Sequence, residues 1–366
     1  MLKAPWFRKN QDEWLREILK VHFDKKSGTP YWLKKEKELG ISVLDEIRSI
    51  GDLKLLGPMK EEDLVNLPIE EFLPKTFLKK KKNLVICETG GTTGKIKTTA
   101  YLEAEFQHAF VEFFRFVAGK RRFPVELNWA FIGPSGPHII FKSAQAMARS
   151  FSSMEPFSVD FDPRWIKKME KGSSGFERYK EHVLEQAERI FSVQEIGVLF
   201  TTPVIAIEVG GRLSFFKREK IKGIHLGGMA LTAEDYQKIK KLYPYSVIIP
   251  GYGNTLFGLT LELSPSKDHT ISYYPPGPRL VIKIIEKKAN CNDNKRIAMD
   301  AEIGERGQVM FHRLDKSFFI PNMIERDEGE RVEALKEWKQ LGFYLDGVKD
   351  PAPLSELKQV LREGLY

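Results

Sequence analysis

Cysteine is scarce in this 366-residue chain, which contains only Cys87 and Cys291. Two cysteines cannot form a disulfide framework, and this favours a reducing compartment. The first residues lack the apolar segment of a secretory signal, so we expect a cytoplasmic protein. No apolar run approaches the roughly 20 residues that cross a bilayer, and we expect no membrane span.

Clusters of metal-binding residues are also missing from the sequence. The two cysteines stand apart, and no two histidines have the helical spacing of a zinc site. Cys87 falls in an apolar run and is expected to be inert, whereas Cys291 falls in a polar segment. The seven histidines are scattered along the chain: His22, His108, His138, His182, His225, His269 and His312.

The charge is basic but not concentrated. The chain carries 58 Lys and Arg against 50 Asp and Glu, a formal net charge of +8. Its basic runs, Lys79–Lys82 and Lys120–Arg122, are short and lack the aromatic pattern of a nucleic-acid-binding module. We interpret them as solvated surface and expect no nucleic-acid partner.

The most informative segment is Glu-Thr-Gly-Gly-Thr-Thr-Gly-Lys-Ile-Lys at residues 88–97. It follows an apolar run, Leu84–Cys87, that predicts a buried strand, and it precedes a helical pattern at Tyr101–Ala118. Glycines let a backbone approach an anion, threonines supply hydroxyls and lysines supply positive charge, so the composition predicts a phosphate-binding loop. The contributing residues are Thr89, Gly90, Gly91, Thr92, Thr93, Gly94, Lys95 and Lys97.

Two common glycine-rich loops do not fit this segment. A Walker loop requires a hydroxyl residue directly after Gly-Lys, but Ile96 follows Lys95, and the position of its first glycine is Thr89. The dinucleotide pattern G-x-G-x-x-G also fails. The loop therefore belongs to another class of phosphate binder.

Beyond residue 84, apolar runs alternate with helical patterns and predict a layered α/β architecture. After residue 255 strand patterns follow one another, which predicts a small antiparallel β subdomain. We expect four regions: helical 1–80, an α/β nucleotide-binding core 81–255, a β-rich subdomain 256–330 and a short helical tail 331–366. The predicted strands of the core are Trp129–Ile132, Ser158–Phe161, Gly197–Phe200, Ile221–Leu226 and Ser246–Pro250. The predicted helices of the core are Tyr101–Ala118, Ile139–Phe151, Phe176–Ile190 and Thr232–Leu242. The predicted strands of the subdomain are Leu256–Leu263, Arg279–Ile285 and Gln308–Arg313.

Residues 89–97 resemble the phosphate loop of the adenylate-forming superfamily, which includes the acyl-CoA synthetases. The family pattern [ST]-[SG]-G-[ST]-T-G-x-P-K is met at every position except Ile96, which replaces a proline. Upstream, Thr29–Trp32 and Ile47–Leu53 resemble two steps found in phenylacetate-CoA ligases. The resemblance covers most of residues 27–330 and implies the large N-terminal-type domain of these enzymes.

The resemblance also implies roles for a second segment, Pro250–Gly258. Tyr252 would pack against adenine and Thr255 would contact the α-phosphate, with Gly253 and Asn254 between them; a tight turn is the structural alternative. Leu256 stands where the family has a magnesium-binding glutamate, and a leucine cannot bind a hard cation. The metal ligands are therefore unknown, with Glu262 and Glu88 as the available carboxylates.

Further binding residues follow from the same resemblance. Gly227 and Gly228 would lie against adenine, and Asp327 would hold the ribose hydroxyls, with Glu328 as the second choice. His138 follows a predicted strand and would shield an acyl adenylate, although a lone histidine is more often structural. Arg164 is a candidate substrate contact without an assigned partner.

The implied function is ATP-dependent activation of a carboxylic acid as an acyl adenylate, with Mg²⁺, and transfer of the acyl group to a thiol of CoA or of a partner protein. Only a short stretch follows Asp327, so we expect the family's small C-terminal domain to be absent and a partner subunit to complete the site. Acyl-protein synthetases of bacterial luminescence are similarly short. Two alternatives stay open: an adenylyltransferase that acts on a phenolic cofactor hydroxyl, and a nucleotide-binding subunit without catalysis.

Overall fold

The computed structural model describes residues 2–79, 83–90, 95–266, 270–287 and 291–354. Among these residues no helix is both long and apolar enough to cross a bilayer. The fold is mixed α/β, with three sheets of two, five and six strands. The predicted fold class is confirmed.

Short helices make up the N-terminal part of the chain. The first begins where the Asn10 side chain accepts a hydrogen bond from the Asp12 amide, and it buries an apolar stripe that includes Trp14. The indole of Trp14 donates to the Leu314 carbonyl over 2.8 Å, so this helix packs on the antiparallel sheet. The α-helices are α1 (Gln11–His22), α2 (Pro30–Leu39), α3 (Val43–Glu46), α4 (Glu61–Asn66) and α5 (Lys75–Lys79), with 3-10 turns at Ile50–Leu56 and Ile69–Phe72.

The phosphate-loop segment joins two strands rather than a strand and a helix. Strands β1 (Leu84–Glu88) and β2 (Thr98–Leu102) form an antiparallel pair in which Glu88 faces Thr98. The helix predicted from Tyr101 begins at Glu103 instead, because the β-branched Thr98 and Thr99 extend the chain alongside β1. That helix runs as α6 (Glu103–Phe106), a π-helical segment (Gln107–Glu112) and α7 (Phe113–Lys120).

A six-stranded sheet forms the centre of the α/β part, in the order β4-β3-β5-β6-β7-β8. Its first five strands in that order are parallel, and β8 pairs antiparallel with the end of β7. The strands are β3 (Asn128–Ile132), β4 (Phe157–Val159), β5 (Ile196–Thr201), β6 (Gly223–Leu226), β7 (Val247–Asn254) and β8 (Gly258–Leu261).

Helices between these strands complete the layers. Three of them are absent from the predicted helices of the core: α9 (Pro163–Ile166), α11 (Pro203–Arg212) and α12 (Phe215–Lys220). The first and the last are too short to show an apolar stripe, and α11 is rich in Val and Ile, which favour strands. The helices are α8 (Ile139–Ser152), α9 (Pro163–Ile166), α10 (Ser174–Val193), α11 (Pro203–Arg212), α12 (Phe215–Lys220) and α13 (Ala233–Leu242).

The five-stranded antiparallel sheet has the order β10-β11-β12-β13-β9 and is larger than predicted. Its strands are β9 (Ser272–Tyr273), β10 (Leu280–Ile285), β11 (Arg306–Leu314), β12 (Phe319–Val332) and β13 (Gly347–Pro353). Two short helices, α14 (Asp293–Arg296) and α15 (Lys336–Lys339), lie between strands.

The C-terminal part departs most from expectation. A tail of helices was predicted beyond residue 331, but β13 pairs with β12 and β9 and is part of the sheet. The second half of β12 contains the consecutive charged residues 325–328, and β13 contains Lys349, Asp350 and two prolines, so a search for apolar runs did not find these strands. A terminal helix predicted at 354–362 lies, apart from residue 354, outside the described residues. The boundaries of the four regions stay predictions.

A buried ionic network joins the three sheets. The Asp315 carboxylate accepts from Arg279 Nε over 2.8 Å and from Arg313 Nε over 2.7 Å, and all three side chains are almost fully buried. Arg313 also donates to Thr99 Oγ1 of β2 over 2.7 Å and to the Leu256 carbonyl over 3.0 Å. The network therefore ties the phosphate-loop hairpin and the β7–β8 turn to the antiparallel sheet.

Candidate functional site

The phosphate-loop segment is closed at its base by two hydrogen bonds. The Thr89 amide donates to the Lys97 carbonyl over 2.9 Å, and the Lys97 amide donates to Thr89 Oγ1 over 3.0 Å. Gly90 lies next to this neck and Lys95 is exposed. Gly91, Thr92, Thr93 and Gly94 fall outside the described residues. The neck makes residues 89–97 a loop between two paired strands.

The β7–β8 turn lies against this neck. Thr255 Oγ1 donates to the Glu88 carbonyl over 3.3 Å, which brings Thr255 to the end of β1. Asn254 Oδ1 accepts the amides of Leu256 and Phe257 at 2.9 and 3.0 Å and holds the turn. A Cβ on Gly253 would lie 2.1 Å from the Gly258 carbonyl oxygen, so the turn itself requires this glycine.

Tyr252 and Asp327, which are far apart in sequence, meet at this turn. The Tyr252 hydroxyl donates to Asp327 Oδ2 over 2.9 Å. Glu328, the second ribose candidate, instead pairs with Lys287 and Arg306. Neighbouring residues of a strand point to opposite faces, so of these two carboxylates Asp327 is the one that reaches Tyr252. The structure therefore favours Asp327 over Glu328.

Two carboxyl groups at this position have raised pKa values. Burial raises the pKa of Glu325 to about 7, and the nearby charge of Asp327 adds to the shift. Burial also raises the pKa of Asp327, although the Tyr252 hydrogen bond opposes it. Asn254 Nδ2 donates to Glu325 Oε1 over 2.8 Å and links this pair to the β7–β8 turn. Groups with shifted pKa values that lie close together are typical of functional sites.

Lys97 and Arg326 share one carboxylate. Lys97 ion pairs with Glu61 of α4, and Arg326 Nη2 donates to both oxygens of the same carboxylate over 3.1 and 2.9 Å. Burial acts to raise the pKa of Glu61, but the hydrogen bonds and charges of Lys97 and Arg326 hold it below its ordinary value. Glu61 was not identified from the sequence, since nothing near it resembles a motif.

Arg164, which had no assigned partner, contacts the other side of the neck. Its Nη2 donates to Glu88 Oε2 over 2.7 Å and to the Thr89 carbonyl over 3.1 Å. The Glu88 amide donates to the Pro137 carbonyl over 3.0 Å, which brings the segment before α8 to the loop. His138 follows directly; burial and then the charge of Arg164 lower its pKa, so it is neutral at pH 7.

The two glycines after β6 differ from each other. The Gly227 amide donates to the Thr201 carbonyl over 3.1 Å, and a Cβ there would make ordinary contacts of 3.6 Å with Phe200 and 3.8 Å with Ile140. Gly228 has a φ of +85°, which favours glycine. The backbone conformation therefore explains Gly228, whereas the protein alone does not require glycine at 227.

The proposed metal ligands are not brought together. Leu256 is buried in the core, and Glu262 lies at the far end of the β7–β8 pair, where it binds Arg121 over 2.7 Å. Glu262 is therefore ruled out as a ligand next to the phosphate loop. Glu88 lies at the loop but pairs with Arg164. Across the described ranges, no group of three or more His, Cys, Asp or Glu side chains is arranged to hold a metal ion.

Among known proteins, neither family models nor curated sequences match this chain. Solved structures do. One is 2-hydroxyisobutyryl-CoA ligase in the postadenylation state in complex with R3-HIB-AMP, with a TM-score of 0.58, 12% identity, and coverage of 88% of this chain and 63% of the ligase. An open conformation of the same ligase, in complex with 2-HIB-AMP and CoA, has a TM-score of 0.57 and 12% identity over 88% of this chain and 69% of the other. This chain thus spans about two thirds of the length of these ligases.

These likenesses define the fold. The chain has the fold of the N-terminal domain of adenylate-forming enzymes, as the resemblance at residues 89–97 implied. At 12% identity the likeness carries no further than the fold. The function must be argued from the residues that meet at the loop.

Proposed function

We propose that this protein activates a carboxylic acid with ATP, forming an acyl adenylate and releasing pyrophosphate. One observation carries the proposal: Thr255 Oγ1 contacts the carbonyl of Glu88 at the neck of the glycine-rich loop. This contact joins the loop suited to the phosphates with the turn that follows a parallel strand. Ligands of α/β proteins bind at such carboxyl ends of strands.

ATP would then extend from the loop to β12. Thr89 to Lys97 would bind the terminal phosphates, and Thr255 would contact the α-phosphate. The Tyr252 ring, Asn254 and the Gly227–Gly228 step would border adenine. Asp327 would accept hydrogen bonds from the ribose hydroxyls, since a carboxylate can accept from two donors.

The chemical step needs an oxygen of the acid to attack the α-phosphorus while pyrophosphate leaves. Catalysis of this step rests on positioning and on neutralising the charge of the leaving group. Lys97, which is held by Glu61, and Lys95 would supply this positive charge. The described residues offer no set of carboxylates for Mg²⁺, so no step is assigned to a protein-bound metal.

His138 and Arg164 lie on the side of the neck where the acid would enter. His138 is neutral at pH 7 and buried, so it would cover the acyl adenylate without adding charge. Arg164 would orient Glu88 and the Thr89 carbonyl rather than contact ATP. The acyl group would pass to a thiol, of CoA or of a partner protein that also completes the site.

The direct test is carboxylate-dependent exchange of labelled pyrophosphate into ATP, measured with Mg²⁺ and a panel of aryl and fatty acids. We expect exchange with one class of acid. Lys97→Met should reduce it roughly 100-fold or more, because a positioned charge on the leaving group is lost. Lys34→Met, which changes an exposed lysine on α2, is the matched control and should leave exchange unchanged.

Leu256, in place of a metal-binding carboxylate, favours a second candidate, a nucleotide-binding subunit without catalysis. ATP binding without exchange for any acid would support that role and contradict the first proposal. Retention of labelled AMP on a phenolic acceptor, without exchange for any acid, would instead support an adenylyltransferase.

A further inference from the structure

The end of the parallel sheet opposite the candidate site has an unusual surface. Each of its five parallel strands is preceded by an exposed large apolar side chain. Five such side chains are 56% to 71% exposed, whereas every other described large apolar residue is at most 53% exposed. They are Val125 before β3, Val193 before β5, Phe215 and Phe216 before β6, and Tyr245 before β7. Met154 precedes β4 and is 45% exposed.

Backbone contacts show that these positions form one continuous edge. The Lys222 amide donates to the Gly197 carbonyl over 2.7 Å, and the Val247 amide donates to the Lys222 carbonyl over 2.9 Å. Asn128 Nδ2 donates to the Glu195 carbonyl over 3.0 Å, so the start of β3 lies beside the start of β5 on the same edge. With strands about 4.8 Å apart, five strands spread the apolar side chains over roughly 20 Å. We call this surface the amino-terminal edge.

Lysines accompany the apolar side chains. The ammonium of Lys220 lies 4.7 Å from the ring centroid of Phe216, and that of Lys222 lies 5.3 Å from the ring centroid of Tyr245. Lys217 Nζ donates to the Ser192 carbonyl over 3.3 Å and fixes α12 on the end of α10. Lys240 donates to the Ser246 carbonyl over 3.1 Å at the same edge.

The charge around α12 is therefore mainly positive. Lys217, Lys220 and Lys222 lie at α12 with two acidic residues, Glu219 and Glu195, and Glu195 pairs with Lys220 over 2.7 Å. Two further acidic residues lie at the other end of the edge, Glu126 beside Val125 and Glu155 beside Met154, and Glu155 pairs with Arg149. The helix itself reads Phe-Phe-Lys-Arg-Glu-Lys and is capped by Ser214. Aromatic residues beside basic ones are typical of segments that lie at a membrane surface.

From this arrangement we infer that the amino-terminal edge docks on an anionic membrane surface. Charge complementarity selects the partner: lysines attract anionic headgroups, while Phe215, Phe216 and Tyr245 enter the interface below them. The apolar side chains lie along a row and come from separate connections between strands, with Phe215 and Phe216 together on α12, and this suits a fluid interface that has no fixed shape.

This orientation leaves the candidate site accessible. The phosphate loop and the β7–β8 turn lie at the carboxyl ends of the strands, whereas the docking residues lie at the amino ends. The inference therefore does not depend on the proposed reaction, and the two can be tested separately.

The test is flotation of the full chain with vesicles of phosphatidylcholine alone and of phosphatidylcholine mixed with phosphatidylglycerol. We expect binding to the mixed vesicles, weakened by salt, and little binding to the neutral ones. Phe215→Ser with Phe216→Ser should weaken binding roughly tenfold or more, because two rings that would enter the membrane interface are lost. Lys217→Glu with Lys222→Glu should weaken binding to the mixed vesicles by a similar factor.

The matched control is Leu44→Ser with Ile303→Ser, which removes two apolar side chains that are also about half exposed but lie elsewhere. It should bind like the unchanged chain. Thermal unfolding and pyrophosphate exchange should not change in the Phe215→Ser, Phe216→Ser variant. Absence of binding to the mixed vesicles, or equal binding by that variant, would overturn the inference. A dimer in sedimentation velocity that is lost in the variant would assign the edge to a second copy of the chain instead.

Discussion

Lys97 of the phosphate loop forms an ion pair with Glu61 of α4, and Arg326 of β12 binds the same carboxylate. One acidic side chain from the N-terminal helices therefore holds two cations, one from the loop before β2 and one from β12. Both side chains of the Lys97–Glu61 pair are largely shielded from solvent, so their interaction is screened less than that of an exposed pair.

The coupling between Lys97 and Glu61 can be measured with a double-mutant cycle. We expect Lys97→Met, Glu61→Gln and the double variant to show a coupling of about 1 kcal/mol or more in the free energy of unfolding, measured with urea. The exposed pair Lys34–Glu38, at 3.9 Å, is the control and should couple by only about 0.3 kcal/mol. Equal coupling in the two pairs would show that Glu61 does not hold Lys97.

The role of Asp327 can be tested with the nucleotide itself. If Asp327 binds the ribose hydroxyls, Asp327→Ala should weaken ATP binding by roughly tenfold or more, because charge-assisted hydrogen bonds are lost. The same variant should bind 2′,3′-dideoxy-ATP as the unchanged chain does. Isothermal titration calorimetry measures both affinities. If Asp327→Ala lost the same factor in affinity for both nucleotides, Asp327 would not bind the ribose hydroxyls.

Glu325 should make stability depend on pH. Its pKa in the folded chain is raised from 4.5 to about 7, so its contribution is fully present below about 4.5 and is lost as the pH rises towards 7. The loss amounts to at most about 3 kcal/mol, and less where water screens the group. Glu325→Gln should remove this slope and be more stable than the unchanged chain at pH 8. If the free energy of unfolding, measured with urea, changed with pH in the same way for both proteins from pH 5 to pH 8, the assignment would be contradicted.

The buried Asp315 should be essential for stability. Asp315→Ala would leave the guanidinium groups of Arg279 and Arg313 buried without their carboxylate, and we expect a cost of about 3–5 kcal/mol. Asp293→Ala changes an exposed ion pair on α14 and should cost less than about 1 kcal/mol. Urea unfolding measures both, and a similar small cost at the two sites would show that the network does not join the sheets.

Local patterns predicted those parts of the fold that local sequence controls. The buried strands of the parallel sheet and the helices α8, α10 and α13 were found, because apolar periodicity reports burial directly. The pairing of β2 with β1 was missed, because strand pairing is not visible within one short segment. The long β12 and the strand β13 were missed, because their charged residues interrupt the apolar pattern. Glu262 was considered as a metal ligand for a similar reason: its partner Arg121 is 141 positions away, so the ion pair cannot be seen in the sequence.

By itself the sequence determined a segment at residues 89–97 whose residue types predict phosphate binding, because that composition can be seen within ten positions. The resemblance of short segments to the adenylate-forming superfamily added the candidates Tyr252, Thr255 and Asp327. The tertiary structure decided which residues meet there. Asp327, and not Glu328, contacts Tyr252. Glu61 pairs with Lys97, and Arg164 pairs with Glu88. Glu262 lies away from the loop and binds Arg121. Strand alternation and the pairing of distant strands set these contacts, and neither can be seen within one stretch of sequence.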